Sequence, residues 1–154
     1  MADNRSGGRA QATFSILNVL PLLAFPLIVY VLVTLANGGN GNWVNGEAVT
    51  FQLMSGDLWL VTVGDLFVAL SLFLLFIEII KSTQTGASSI INHGLSMALT
   101  LICVLMFVTA KGYGTAEFFF LTLMQVLDVV AGFTITIAGA RRDFGTTVGP
   151  GGPN

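Results

Sequence analysis

Four ionisable side chains stand in or at the edge of apolar runs: Asp65, Glu78, His93 and Asp128. A charge at the centre of a membrane helix costs about 2.5–3.5 kcal/mol or more, so each invites a functional reading. Asp65 and Asp128 are the first pair. Two carboxylates in a low-dielectric site do not both stay charged, and one holds a proton. That is the chemistry of a proton or cation site. Tyr30, Thr100 and Gln125 are the polar side chains that could join them in one intramembrane layer. The competing reading is polar glue, in which a protonated Asp and hydroxyls hydrogen-bond between helices. The surroundings of Asp128 favour glue. Ala131, Gly132, Ile135 and Gly139 share its helix face, a mostly small-residue stripe suited to close packing.

Glu78, Lys81 and His93 form a second candidate cluster, at the cytoplasmic edge. The simplest reading is an interfacial ion pair of Glu78 with Lys81 or His93. One His and one carboxylate do not make a metal site on their own. A lone intramembrane His could hold a porphyrin-type pigment, a weaker reading than the ion pair. The chain has no Gly-rich phosphate loop, no Ser/His/Asp set and no paired-Cys motif. No enzyme activity, metal or cofactor is therefore expected. Cys103 is the only cysteine, so no internal disulfide forms, and it reads as a small core residue.

The elements that must position these residues are membrane helices. Of 154 residues, 54% are hydrophobic and 9% are charged. A soluble domain carries about 25% charged residues. Nucleic-acid binding and disorder both need more charge than this chain has. Its net charge of −2 also argues against a polyanionic partner. Residues 16–36, 58–80, 90–110 and 118–140 each suit the ~20-residue length of a spanning helix. The first run exceeds the 7–15-residue core of a signal peptide and reads as a true span. The expected fold is an all-α, four-helix transmembrane bundle over residues 16–140. Tails at 1–15 and 141–154 and a loop at 37–57 complete it. At ~1.5 Å per residue, Asp65 and Asp128 lie roughly 10 and 15 Å below the same edge.

Orientation follows from Lys and Arg in the short loops. Arg5, Arg9, Lys81, Arg141 and Arg142 fall on one side and Lys111 on the other. Both termini are therefore expected in the cytoplasm. Trp43, Trp59 and Tyr113 fall near the outer interface. Asn45-Gly46 is a hairpin signal between Trp43-Val44 and the alternating Val49, Phe51 and Leu53. An irregular interfacial loop at 37–57 is nonetheless the first expectation, with a small hairpin as the alternative. Pro21 and Pro26 suggest a static kink near the cytoplasmic end of the first span.

Several phrases resemble a family of small four-span inner-membrane proteins of alphaproteobacterial type. They are Gly64-Asp65-Leu66, Phe76-Ile77-Glu78-Ile79-Ile80-Lys81, Ile91-Asn92-His93-Gly94-Leu95-Ser96-Met97, and Leu127-Asp128-Val129-Val130-Ala131-Gly132-Phe133 closing with Ala140-Arg141-Arg142-Asp143. The resemblance implies architecture and a bacterial inner-membrane location, and no activity. Twelve Phe, three of them consecutive at Phe118-Phe119-Phe120, and minimal soluble parts point to contact work. The expected function is an accessory or scaffolding subunit, acting on other membrane subunits or on copies of itself in a lipid bilayer. The alternative is a small proton- or cation-coupled channel built on Asp65 and Asp128.

Overall fold

The computed structural model describes residues 20–83 and 87–146, with side-chain surroundings given for 20–83 and 91–138. Among them are four helices: α1 (Ala24–Ala36), α2 (Val63–Ser82), α3 (Ala87–Thr109) and α4 (Ala116–Thr146). A 3-10 turn (Gly41–Asn45) and two strands, β1 (Glu47–Gln52) and β2 (Leu58–Thr62), lie between α1 and α2. Three stretches are long and apolar enough to cross a membrane: Val63–Ser82, Ile91–Thr109 and Ala116–Ala138. At 13 residues, α1 is shorter. It extends roughly 20 Å, against the ~30 Å of a bilayer core.

The late start of α1 has a cause in its prolines. Pro21 has no N–H and disfavours helical backbone at the residue before it. Leu22 and Leu23 instead form a turn, with Ala24 N–H donating to the Pro21 carbonyl at 3.1 Å. Pro26 sits in the first helical turn, where its missing N–H has no acceptor to lose. The expected proline kink is thus a helix start. The expected first span began at residue 16, and residues 16–19 lie outside the described ones.

The second expected span also begins late. Residues 58–62 are strand, and helix starts at Val63. Thr62 and Asp65 set that boundary as a reciprocal capping box. β2 pairs antiparallel with β1, with Thr50 opposite Leu60 and Phe51 opposite Trp59. The alternative to an irregular loop is therefore what forms, but not around Asn45-Gly46. Those two residues close the 3-10 turn. The hairpin turns at residues 53–57, where Gly56 adopts φ 93° and Leu53 N–H donates to the Asp57 carbonyl at 2.8 Å. Only glycine takes that backbone at little cost. At the other end of the chain, α4 runs on to Thr146, so 141–146, expected in the tail, are helical. Residues 1–19 and 147–154, the rest of both expected tails, lie outside the described ones.

Helix α4 is central: it packs along both α2 and α3, while α1 touches α3 and α4. Its inward residues Phe118, Leu121, Gln125, Asp128 and Gly132 are buried and recur at helical spacing. The hairpin end of the protein is closed by aromatic rings around Tyr30. Ring centroids lie 4.9 Å from Phe118, 5.1 Å from Trp43 and 5.5 Å from Phe67. Trp43 Nε1 donates to Thr34 Oγ1 at 3.0 Å, so the indole is satisfied where it packs. Gly39 and Gly41 meet Gly112 backbone to backbone, an approach that any side chain at Gly112 would block.

Candidate functional site

The buried polar groups gather away from the aromatic end. Glu78 on α2 is fully buried, at 0% exposure. A buried carboxylate is stable only when its lone pairs are met. Four contacts do this. Its Oε2 accepts from Leu22 N–H at 2.8 Å, and its Oε1 accepts from Asn92 Nδ2 at 2.6 Å. Lys81 Nζ lies 3.3 Å from each carboxylate oxygen. Lys81 also donates to the Leu20 carbonyl at 2.8 Å. Glu78 therefore joins the start of α1 to α2 and α3. The expected Glu78–Lys81 contact is present, within a buried cluster rather than an open edge.

His93 is buried beside Asn92 on α3. Its ring stands on Gly132 of α4, where an added Cβ would collide with Nδ1 and Cε1. Its centroid is 6.4 Å from that of Phe133. Gly132 is thus the place where α4 admits an imidazole. Ala131 is half-buried next to it. The last residue of the stripe, Gly139, lies outside the residues whose surroundings are described.

One turn before Gly132, Asp128 is 1% exposed. Glu78, His93 and Lys81 all act on it electrostatically. Ser96 faces it from α3, yet neither Ser96 Oγ nor Asp128 Oδ2 closes a hydrogen bond of normal geometry. Gln125 precedes Asp128 by three residues on the same face and is 0% exposed. Its Nε2 donates to the Leu23 carbonyl at 3.2 Å, and its Oε1 has no partner. Asn92 repeats the pattern, with Nδ2 on Glu78 and Oδ1 unmatched.

The expected polar layer is divided by this geometry. Asp128 and Gln125 share it. Thr100 is half-buried and donates to the Ser96 carbonyl of its own helix at 2.8 Å. Tyr30 belongs to the aromatic end and bonds Thr115 through its hydroxyl at 2.7 Å. Asp65 is exposed and serves as a helix cap. Its Oδ2 accepts from Thr62 N–H and Thr62 Oγ1, both at 2.8 Å. The reason is its position: Asp65 is the third residue of α2, where free N–H groups and the helix dipole favour a carboxylate. Glu78 stands near Asp128 in place of Asp65.

Two residues of the cluster were not singled out from sequence, Asn92 and Ser96. Their signal is spacing. Asn92, Ser96 and Thr100 recur every four residues and so line one face of an otherwise apolar helix. Among the described residues, no three His, Cys, Asp or Glu come together as a metal-binding group. Comparison with protein-family models, curated proteins and solved structures finds no match for the chain.

Proposed function

We propose that this protein is a non-enzymatic membrane subunit that works through contact with other membrane proteins or with copies of itself. The setting proposed is a bacterial inner membrane, with four helices embedded and both termini in the cytoplasm. One observation carries the contact role. The β-hairpin holds large apolar side chains in the open: Met54 is 107% exposed, Leu58 73% and Trp59 54%. Every residue of β1 is exposed.

Exposed apolar residues on long helices are explained by lipid. Those on the hairpin are not. A two-stranded sheet has open edges, and unpaired backbone groups are not tolerated in hydrocarbon. Phe51 and Trp59 lie side by side with centroids 6.2 Å apart, a preassembled aromatic surface. Tyr, Trp, Phe and Met are the residue types enriched in the cores of protein interfaces. The hairpin leads straight into α2, so whatever it touches lies at the membrane boundary.

Extraction in mild detergent followed by native mass spectrometry tests this reading. The expected species exceeds the 16.3 kDa of one chain, as a complex with another subunit or as an oligomer. Trp59→Glu should reduce it to the single chain. A parent protein that is monomeric and free of other subunits would overturn the proposal. Alkaline phosphatase fused after Asn154 should be silent, and a signal there would reverse the orientation.

A further inference from the structure

We infer that the hairpin's partner is a second copy of this chain, joined along the outer edge of β1 into one four-stranded antiparallel sheet. This rests on the contact role and names the partner for it. The backbone gives the first reason. Leu53 N–H donates to the Asp57 carbonyl at 2.8 Å, and the Leu53 carbonyl accepts from Gly56 N–H at 2.9 Å. Both polar groups of Leu53 therefore turn inward, toward β2 and the hairpin turn. Successive residues of a strand turn their backbone groups to opposite edges. Phe51 and Val49 thus face β2, opposite Trp59 and Val61. Thr50 and Gln52 present theirs at the outer edge, on a strand whose every residue is exposed.

That edge is lightly guarded. Natural edge strands are blunted by Lys, Pro, inward charges or bulges. Residues 48–56 contain no charged residue and no proline. The guard present is an irregularity at Ala48, between the Glu47–Thr62 and Val49–Val61 pairs. It ends the free edge on the bundle side and leaves residues 49–53 open.

The register follows from the groups that must be met. Setting Phe51 of one copy against Phe51 of the other places Thr50 opposite Gln52 twice. Each such pair exchanges two backbone hydrogen bonds, so every outward N–H and carbonyl of Thr50 and Gln52 is used. Neighbouring registers fail this test. One sets Gln52 against Ala48 at the irregularity, and the other sets Thr50 against Met54 in the turn. The side chains agree with the backbone. On one face the row reads Trp59, Phe51, Phe51, Trp59, extending an aromatic pair whose centroids are 6.2 Å apart. Val49 falls opposite Leu53 on that face. On the other, Thr50 meets Gln52, flanked by Leu58 and Leu60 of β2. Val61 shares the aromatic face and is 4% exposed, so that face turns toward the bundle. The two-fold axis of such a sheet is normal to it. Two bundles in one membrane share an axis along the membrane normal, so the sheet lies flat on the membrane.

Disulfide cross-linking of the full chain in native membranes, on a Cys103→Ala background, tests this. Phe51→Cys should form a linked dimer, because opposed residues of this kind have Cα atoms about 4.5 Å apart. Thr50→Cys and Gln52→Cys should link little alone, across a diagonal of about 7–8 Å, and readily when co-expressed. Gln52→Pro removes an outward N–H and no β1–β2 bond, so the hairpin should fold while the dimer is lost in native mass spectrometry. A dimer that survives Gln52→Pro would overturn the sheet. So would links at Thr50→Cys and Gln52→Cys singly that equal those at Phe51→Cys. If Phe51→Cys does not fold, the co-expressed pair decides, and its failure to link overturns the sheet. No cross-link anywhere, in a protein still found in a complex, overturns the sheet and leaves the contact role standing. A monomeric parent overturns both.

Discussion

Asn92 donates to Glu78 across 2.6 Å, and this bond ties α3 to α2 where both meet the start of α1. Both side chains are buried, so neither can exchange its partner for water. The bond also fixes which end of the Asn92 amide is nitrogen, since Glu78 accepts.

Glu78→Leu should be among the most damaging single changes in the chain. It removes at once the acceptor of the Asn92 amide and of the Leu22 N–H and the carboxylate that Lys81 pairs with. Removing one partner of a buried pair costs about 3–5 kcal/mol. Glu78→Gln keeps the shape and an acceptor, and should cost less. Chemical unfolding in detergent measures both. A Leu variant as stable as the parent would contradict the buried cluster.

Gly132→Leu should weaken the α3–α4 contact, because the His93 ring occupies the space of any side chain there. Overpacking costs about 1–3 kcal/mol. Gly94 has open space where its Cβ would be, so Gly94→Ala on α3 is the control and should cost only a small change. Equal melting of Gly132→Leu and the parent would show that the helices do not approach as described.

How much of this was legible in the residues can be judged from particular cases. The apolar runs reveal three helices, because hydropathy over twenty residues is a strong signal. The start of α2 was also written in the chain, as Thr62-x-x-Asp65. The unbroken apolar run from Leu58 hid it, since a strand of Leu, Trp, Leu and Val has the same hydropathy as a helix. That one misreading moved Asp65 from a cap into a membrane layer. Glu78 was visible as a carboxylate. Its burial was not, because the Leu22 N–H that completes its shell comes from 56 residues away. Tyr30 likewise depends on distant rings from Trp43, Phe67 and Phe118.

Asp65→Ala should cost the capping box and little else. Losing that reciprocal bond should lower the melting temperature only slightly, because the Thr62 hydroxyl still caps the Asp65 N–H. The protein should still insert and assemble, since the carboxylate touches only Thr62 at its own helix end. A variant that fails to insert or assemble would place the Asp65 carboxylate in contacts beyond its own helix end, against its observed position.

The contact role is tested most directly at Met54, the most exposed apolar side chain of the hairpin turn. A photo-activatable phenylalanine analogue placed there in native membranes, irradiated and analysed by mass spectrometry, reports what the hairpin touches. The account expects a covalent adduct with a defined segment of another membrane protein or of a second copy, lost when Trp59→Glu is added. Adducts with lipid or water alone, unchanged by Trp59→Glu, would contradict it.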